Sequence, residues 1–152
     1  MELNSEYFMQ QALEEAKKAV LIDEVPVGAV IVKDGEIIAR AHNMRESSND
    51  PTAHAEILAI REASKKLHNW RLNKCEMYVT LEPCPMCSGA IYQSRLSKIY
   101  IGTFDPKCGA CGSVIDITNN DYLNSFVNIK WLYNKQCEDI LKEFFRTKRN
   151  NK

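Results

Sequence analysis

No apolar run in this chain approaches the roughly 20 residues that a membrane span needs. The opening segment, Met1 to Tyr7, is polar and lacks the apolar core of a secretory signal, so no membrane association and a cytoplasmic location are expected. Net charge is missing too. Lys+Arg and Asp+Glu both number 20, so there is no global basic footprint, and any nucleic-acid contact must come from a local patch. Arg146, Lys148, Arg149 and Lys152 form one such patch, which on charge alone reads as a solvated, frayed end. Repeats, low-complexity segments and interior linkers are absent. What remains, at 152 residues with 45% hydrophobic and 26% charged, is one domain over residues 1–152 that can bury a core. Histidine is scarce, with three, whereas six cysteines stand at uneven spacing. In a cytoplasmic chain that pattern favours metal ligands or free thiols over a disulfide framework.

Phe8, Ala12, Ala16 and Val20 recur at helical spacing and predict an amphipathic helix from about Ser5 to Ile22. The β-branched run Val27 to Lys33 leads into the hairpin turn Asp34-Gly35, and Glu36 to Ala41 pairs back as a second strand. A polar loop through Asn43 to Asp50 ends at Pro51. The next helix is expected over about Thr52 to Leu67, with Glu56, Ile60, Ala63 and Leu67 on one apolar stripe. Met77 to Thr80, Ile99 to Gly102 and Val127 to Leu132 read as three further strands. Cys137, Ile140, Leu141, Phe144 and Lys148 mark one face of a last helix. The succession predicts an α/β fold, a five-stranded sheet with helices on both faces, that is, three layers.

The chemistry concentrates in two short stretches. In Pro83-Cys84-Pro85-Met86-Cys87, Pro85 suits the first position of a helix, which makes Cys84 the cap and puts Cys87 one turn in on the same face. A helix start carries partial positive charge, so both sulfurs are biased toward thiolate. Upstream stands His54-Ala55-Glu56. Glu56 continues an apolar stripe, where an unpaired carboxylate is costly, so it is either a buried structural partner or a functional group. On an ideal helix His54 points well away from Glu56, and the two share a site only if His54 lies in an irregular first turn. One nitrogen and two sulfurs suit zinc, and three protein ligands leave a fourth tetrahedral position to water, whose pKa zinc lowers to roughly 7. Glu56 could then take a proton from that water and pass it to a substrate.

At these residues the chain resembles the zinc-dependent nucleobase and nucleoside deaminases, whose pattern is H-x-E followed by P-C-x-x-C. The resemblance implies a cytidine deaminase-like mixed sheet, one zinc per subunit held by His54, Cys84 and Cys87, and hydroxide attack on the amine-bearing ring carbon with Glu56 as proton shuttle. Within the family, Glu24 to Val30, Asp50 to Glu56, Asn69-Trp70-Arg71-Leu72, Tyr78 to Cys84, Asp105-Pro106-Lys107, Gly112-Ser113 and Phe144-Phe145-Arg146 look like the bacterial branch that converts adenosine to inosine at the wobble position of the tRNA anticodon. That likeness implies a homodimer binding the tRNA anticodon stem-loop. Asn43 would meet the target base, and Asp105, Lys107, Phe145, Arg146 and Arg149 would lie along the RNA path.

Two features depart from that pattern. Pro-Cys-Pro-Met-Cys and Ser48 to Glu56 also look like bacterial guanine deaminases, so the catalytic motifs leave a free nucleobase such as guanine open as substrate. The Gly-Ser loop and the Phe-Phe-Arg ending favour RNA. A non-catalytic zinc-stabilised RNA-binding protein is the alternative of another class, opposed by an intact Glu56. Cys108-x-x-Cys111 lies outside the motifs that carry the resemblance and reads as a pair of small, semi-buried loop thiols. From spacing alone, Asn43 is a turn residue, Asp105 a loop start before Pro106, Lys107 solvent-facing and Phe144 a core residue.

Overall fold

The computed structural model describes residues 2–150, with side chains from residue 4 onward, so Lys152 of the basic patch lies outside the described residues. Eleven elements follow one another: α1 (Glu2–Leu21), β1 (Gly28–Lys33), β2 (Glu36–His42), α2 (Ala55–Leu67), β3 (Cys75–Leu81), α3 (Pro85–Gln93), β4 (Lys98–Thr103), β5 (Asn119–Asn120), β6 (Ser125–Phe126), β7 (Asn128–Trp131) and α4 (Lys135–Asn150). Five strands form a mixed sheet in the order β2-β1-β3-β4-β7. The β1–β2 and β1–β3 pairs are antiparallel, while β3–β4 and β4–β7 are parallel.

Strand alternation sorts the core into two layers, as a period of two requires. Ala29, Ile31, Met77, Val79, Ile99 and Ile101 point to one face, where Ala55, Ala59 and Ala63 of α2 and Ile91 of α3 cover them. Val30, Val32, Tyr78 and Tyr100 point to the other, against Phe8, Met9, Ala12, Leu13 and Ala16 of α1 and Cys137 of α4. Tyr78 and Tyr100 stack there with ring centroids 4.2 Å apart. The layers are thus α2/α3, sheet, α1/α4. At Gly28 a Cβ would run into the backbone of α1 at Ala12 and Ala16, so β1 enters the sheet directly beneath that helix. The β1–β2 turn places Asp34 at φ 52° and Gly35 at φ 78°, the two-residue turn that Asp-Gly predicts.

Two expectations need correction, and one element was not foreseen. The second helix begins at Ala55, not Thr52, because Asp50 accepts hydrogen bonds from the amide and hydroxyl of Thr52 and fixes a non-helical turn there. Its buried stripe runs Ala55, Glu56, Ala59 and Ala63, while Ile60 and Leu67 are only partly buried, since close approach to the sheet selects alanine on the facing side. The small β5–β6 hairpin between β4 and β7 has no apolar alternation behind it. It is held by Asn120 Oδ1, which accepts from the amides of Tyr122 and Leu123, and by Asn119 Nδ2, which donates to Val127 O, so periodicity could not reveal it.

Candidate active site

The carboxyl ends of β3 and β4, the start of β1 and the end of β2 meet at one edge, where α2 and α3 begin. Ends of parallel strands are where α/β sheets place ligands. His54 is the cap residue of α2 in extended conformation, φ −80° and ψ 151°, and its side chain makes no capping bond. That resolves the geometric objection to the His54/Glu56 pair: His54 is not helical, and its ring is free to turn toward the same region as Glu56. The first amide of α2, at Ala55, is satisfied instead by Asn43 Oδ1 at 2.8 Å. Cys84 caps α3 in the same way, φ −74° and ψ 176°, again with no side-chain capping bond, and Pro85 occupies the first helical position.

Two helix starts therefore deliver three donors to one point. His54 Nδ1 lies 3.7 Å from Cys84 Sγ and 3.5 Å from Cys87 Sγ, and one donor atom from each of the three residues lies within 4.8 Å of the others. Zinc–sulfur and zinc–nitrogen bonds of about 2.3 and 2.0 Å at a tetrahedral angle would separate N and S by about 3.5 Å, so these residues fit the ion that their chemistry suggests. Among the described residues this is the one such cluster of histidine, cysteine and carboxylate groups.

The electrostatics follow from half-buried His54 and Cys84 packed against buried Cys87 and Glu56. Without a metal, the anion is favoured on Cys84 over Cys87. The Cys84 thiol is drawn down to about 4, first by the hydrogen bond from Cys87 and then by His54. Cys87 is held far above the usual thiol range by its bond to the Cys84 sulfur and by burial, and the same sulfur raises His54. Glu56 is 4% exposed beside them, and burial lifts its carboxyl to about 7.

The other sequence-selected residues separate into groups. Asn43 stands at the site, but as a brace: besides Ala55, its Nδ2 donates to Val25 O at 3.1 Å, leaving one N–H uncommitted. Asp105 opens a turn, with Oδ1 accepting from the amides of Lys107 and Cys108, and Lys107 is exposed. Phe145, Arg146 and Arg149 lie on the exposed side of α4, where Arg146 is paired with Glu143 at 2.6 Å. Phe144 is half-buried and Lys148 reaches Asp23, so the apolar face of α4 is carried by Cys137 and Leu141. The cysteine pair is not uniformly semi-buried: Cys111 is 5% exposed beside Ser88, whereas Cys108 faces solvent.

Two buried carboxylates escaped residue-level reading. Glu24 accepts from the amides of Glu46 and Ser47 and from the Ser47 hydroxyl, fixing the loop before His54. Glu82 accepts from the amides of Asp105, Cys111 and Ser113, fixing the loop after β4. Both occur inside the motifs Glu24-Val25-Pro26 and Leu81-Glu82-Pro83, and an acidic residue directly before such an apolar or cysteine motif was the only available signal.

Residues 3–103 match the family described as the cytidine and deoxycytidylate deaminase zinc-binding region. A protein of Aquifex aeolicus (strain VF5) named tRNA-specific adenosine deaminase is 49% identical over 151 residues, 98% of this chain and 99% of its own length. A solved structure from work on A-to-I editing by tRNA deaminases at the wobble position of transfer RNA is 43% identical, with TM-score 0.86 over 89% of this chain and 99% of that one. A guanine deaminase of Bacillus subtilis is 35% identical, with TM-score 0.64 over 95% of this chain and 93% of that one. By this match over most of its length, the chain belongs to the zinc-binding cytidine and deoxycytidylate deaminase family, on the branch of the bacterial tRNA-specific adenosine deaminases.

Proposed function

We propose that this protein hydrolyses adenosine to inosine at the wobble position of a tRNA anticodon, working in the cytoplasm as a homodimer that binds the anticodon stem-loop. The observation that carries this reading is the extent of the likeness to tRNA-specific adenosine deaminases, which runs past the catalytic motifs to the end of the chain. The reaction consumes one water and releases one ammonia, so the site must deprotonate water, protonate the ring and protonate the leaving amine.

His54, Cys84 and Cys87 would hold the zinc, which when bound supplies a Lewis acid that acidifies water. Glu56 does the proton work. A carboxyl poised at about 7 is close to evenly populated in its two forms at neutral pH, the condition for both accepting and donating. It takes a proton from the attacking water and gives it to N1 of the purine as the C6–O bond forms; it then takes the remaining proton from the C6 hydroxyl and delivers it to the amine as the C6–N bond breaks and the C6 carbonyl forms. Asn43 offers its uncommitted N–H to the base, while its other bonds keep His54 and the α2 start in place. Asp105, Lys107, Phe145, Arg146 and Arg149 present charge and an aromatic ring to the splayed loop nucleotides.

A free-nucleobase deaminase is the second reading, favoured by Cys84-Pro85-Met86-Cys87 and by the likeness to the Bacillus guanine deaminase. A paired assay on zinc-loaded protein separates them. One arm holds an anticodon stem-loop with adenosine at the wobble position; the other arms hold free guanine, cytosine and adenosine. Inosine in the RNA, with the small molecules untouched, supports the proposal. Ammonia from guanine with intact RNA keeps the chemistry and overturns the substrate.

A further inference from the structure

The segment from Phe104 to Ser113 has little secondary structure of its own, yet it carries Asp105 and Lys107 and lies against the turn that presents Cys84. One buried side chain binds it at three points. Glu82 is 2% exposed; Oε1 accepts from the Asp105 amide at 2.9 Å, and Oε2 accepts from the amides of Cys111 at 3.0 Å and Ser113 at 3.1 Å. These three donors lie 23, 29 and 31 residues further along the chain. The backbone adds Ala110 N–H to Pro83 O at 2.9 Å, and Cys111 Sγ closes the contact on Ser88 Oγ at 3.5 Å. Gly109 has no Cβ where one would fall against the Glu82 carboxylate, so the loop backbone lies flush on the side chain.

We infer that Glu82 is a positioning residue: its buried carboxylate sets the segment 104–113 in register with the Cys84 turn, and so sets how Asp105 and Lys107 meet the RNA. This rests on the assignment of those two residues to the RNA path. It also gives Cys111 a role as the packing end of the clamp. A neutral amide cannot take the place of the carboxylate, because its NH2 group would face at least one of the inward-pointing N–H donors.

The test uses the full zinc-loaded chain and a wobble-adenosine stem-loop. Glu82→Gln removes the acceptor charge, and Gly109→Ala lifts the loop off an intact Glu82. Both are expected to raise KM for the RNA about 10–100-fold, the ratio by which the aligned loop becomes a minor population, while kcat falls much less and zinc stays stoichiometric. Lys107→Ala, which raises KM in the wild-type background, should add little on top of Glu82→Gln, because the two act on the same contact. A KM left unchanged by both clamp variants, while Lys107→Ala and Asp105→Ala raise it, overturns the inference and leaves the RNA path standing. Harmless Lys107→Ala and Asp105→Ala overturn the RNA path and the inference with it. Zinc lost in proportion to activity in both clamp variants also overturns it, since Glu82 would then act through the ligands.

Discussion

Replacing Glu56 by glutamine should cost the protein its activity and make the metal-stripped fold more stable above neutral pH. The carboxyl sits 4% exposed, with burial the largest influence on it, and titrates near 7 against an ordinary 4.5. A folded carboxyl with a raised pKa binds more protons than its unfolded counterpart between those two values, so stability falls as pH climbs from below 4.5 through 7. The full penalty above neutrality is about 3 kcal/mol, at 1.36 kcal/mol per unit, of which about 2–3 kcal/mol develops between pH 5 and pH 8. Glutamine has no such term. Urea unfolding of chelator-treated wild type and Glu56→Gln at the two pH values reads it together with the pull of the Glu56 charge on His54, while packing differences cancel in the change of the difference. In the same variant, zinc-loaded and assayed under single turnover, the rate should fall about 10²–10⁴-fold. A stability difference that is the same at pH 5 and pH 8 would refute the buried-acid argument, and near-normal turnover would remove Glu56 from the proton path.

Three further expectations follow from the bonds around the site. Asn43→Ala leaves the Ala55 amide and Val25 carbonyl without their partner, so it should destabilise by about 1–3 kcal/mol in chemical denaturation and slow turnover on any substrate by shifting His54. Normal stability with only a substrate-binding defect would make Asn43 a base contact and nothing more. Gly28→Ala forces a Cβ into the α1 backbone, and a loss of at least ~1–3 kcal/mol, read in the same way, is expected with zinc binding retained. Arg146→Ala with Arg149→Ala should weaken stem-loop binding and flatten the slope of log K against log salt by about 1–1.5, at about 0.7 per single-stranded phosphate lost. An unchanged slope takes both out of the RNA path.

Most of this fold was legible because its elements follow the rule they were read by. The central strands are covered on both faces, so they stood out as unbroken apolar, β-branched runs in Val27 to Lys33 and Met77 to Thr80. The cluster of candidate ligands was legible for a different reason: Cys84 and Cys87 need only one helix start, and Pro85 marks it in the sequence. The start of α2 was misplaced because nothing in Thr52-Ala53-His54 says helix or turn. The decision rests with Asp50, whose side chain captures Thr52, and with Asn43, which supplies the missing cap from 12 residues upstream. Glu24 and Glu82 mark the limit most clearly. Their donors are mainly backbone amides of distant loops, at Glu46 and Ser47 in one case and at Asp105, Cys111 and Ser113 in the other. Every residue type but proline offers that amide, so such a bond imposes no side-chain pattern on the loop it holds. A carboxylate can therefore fix the shape of a site while leaving only its own identity as a trace. Candidates for moving protons and holding metal are readable from their chemistry; the residues that hold the loops around them become readable only when the chain has closed.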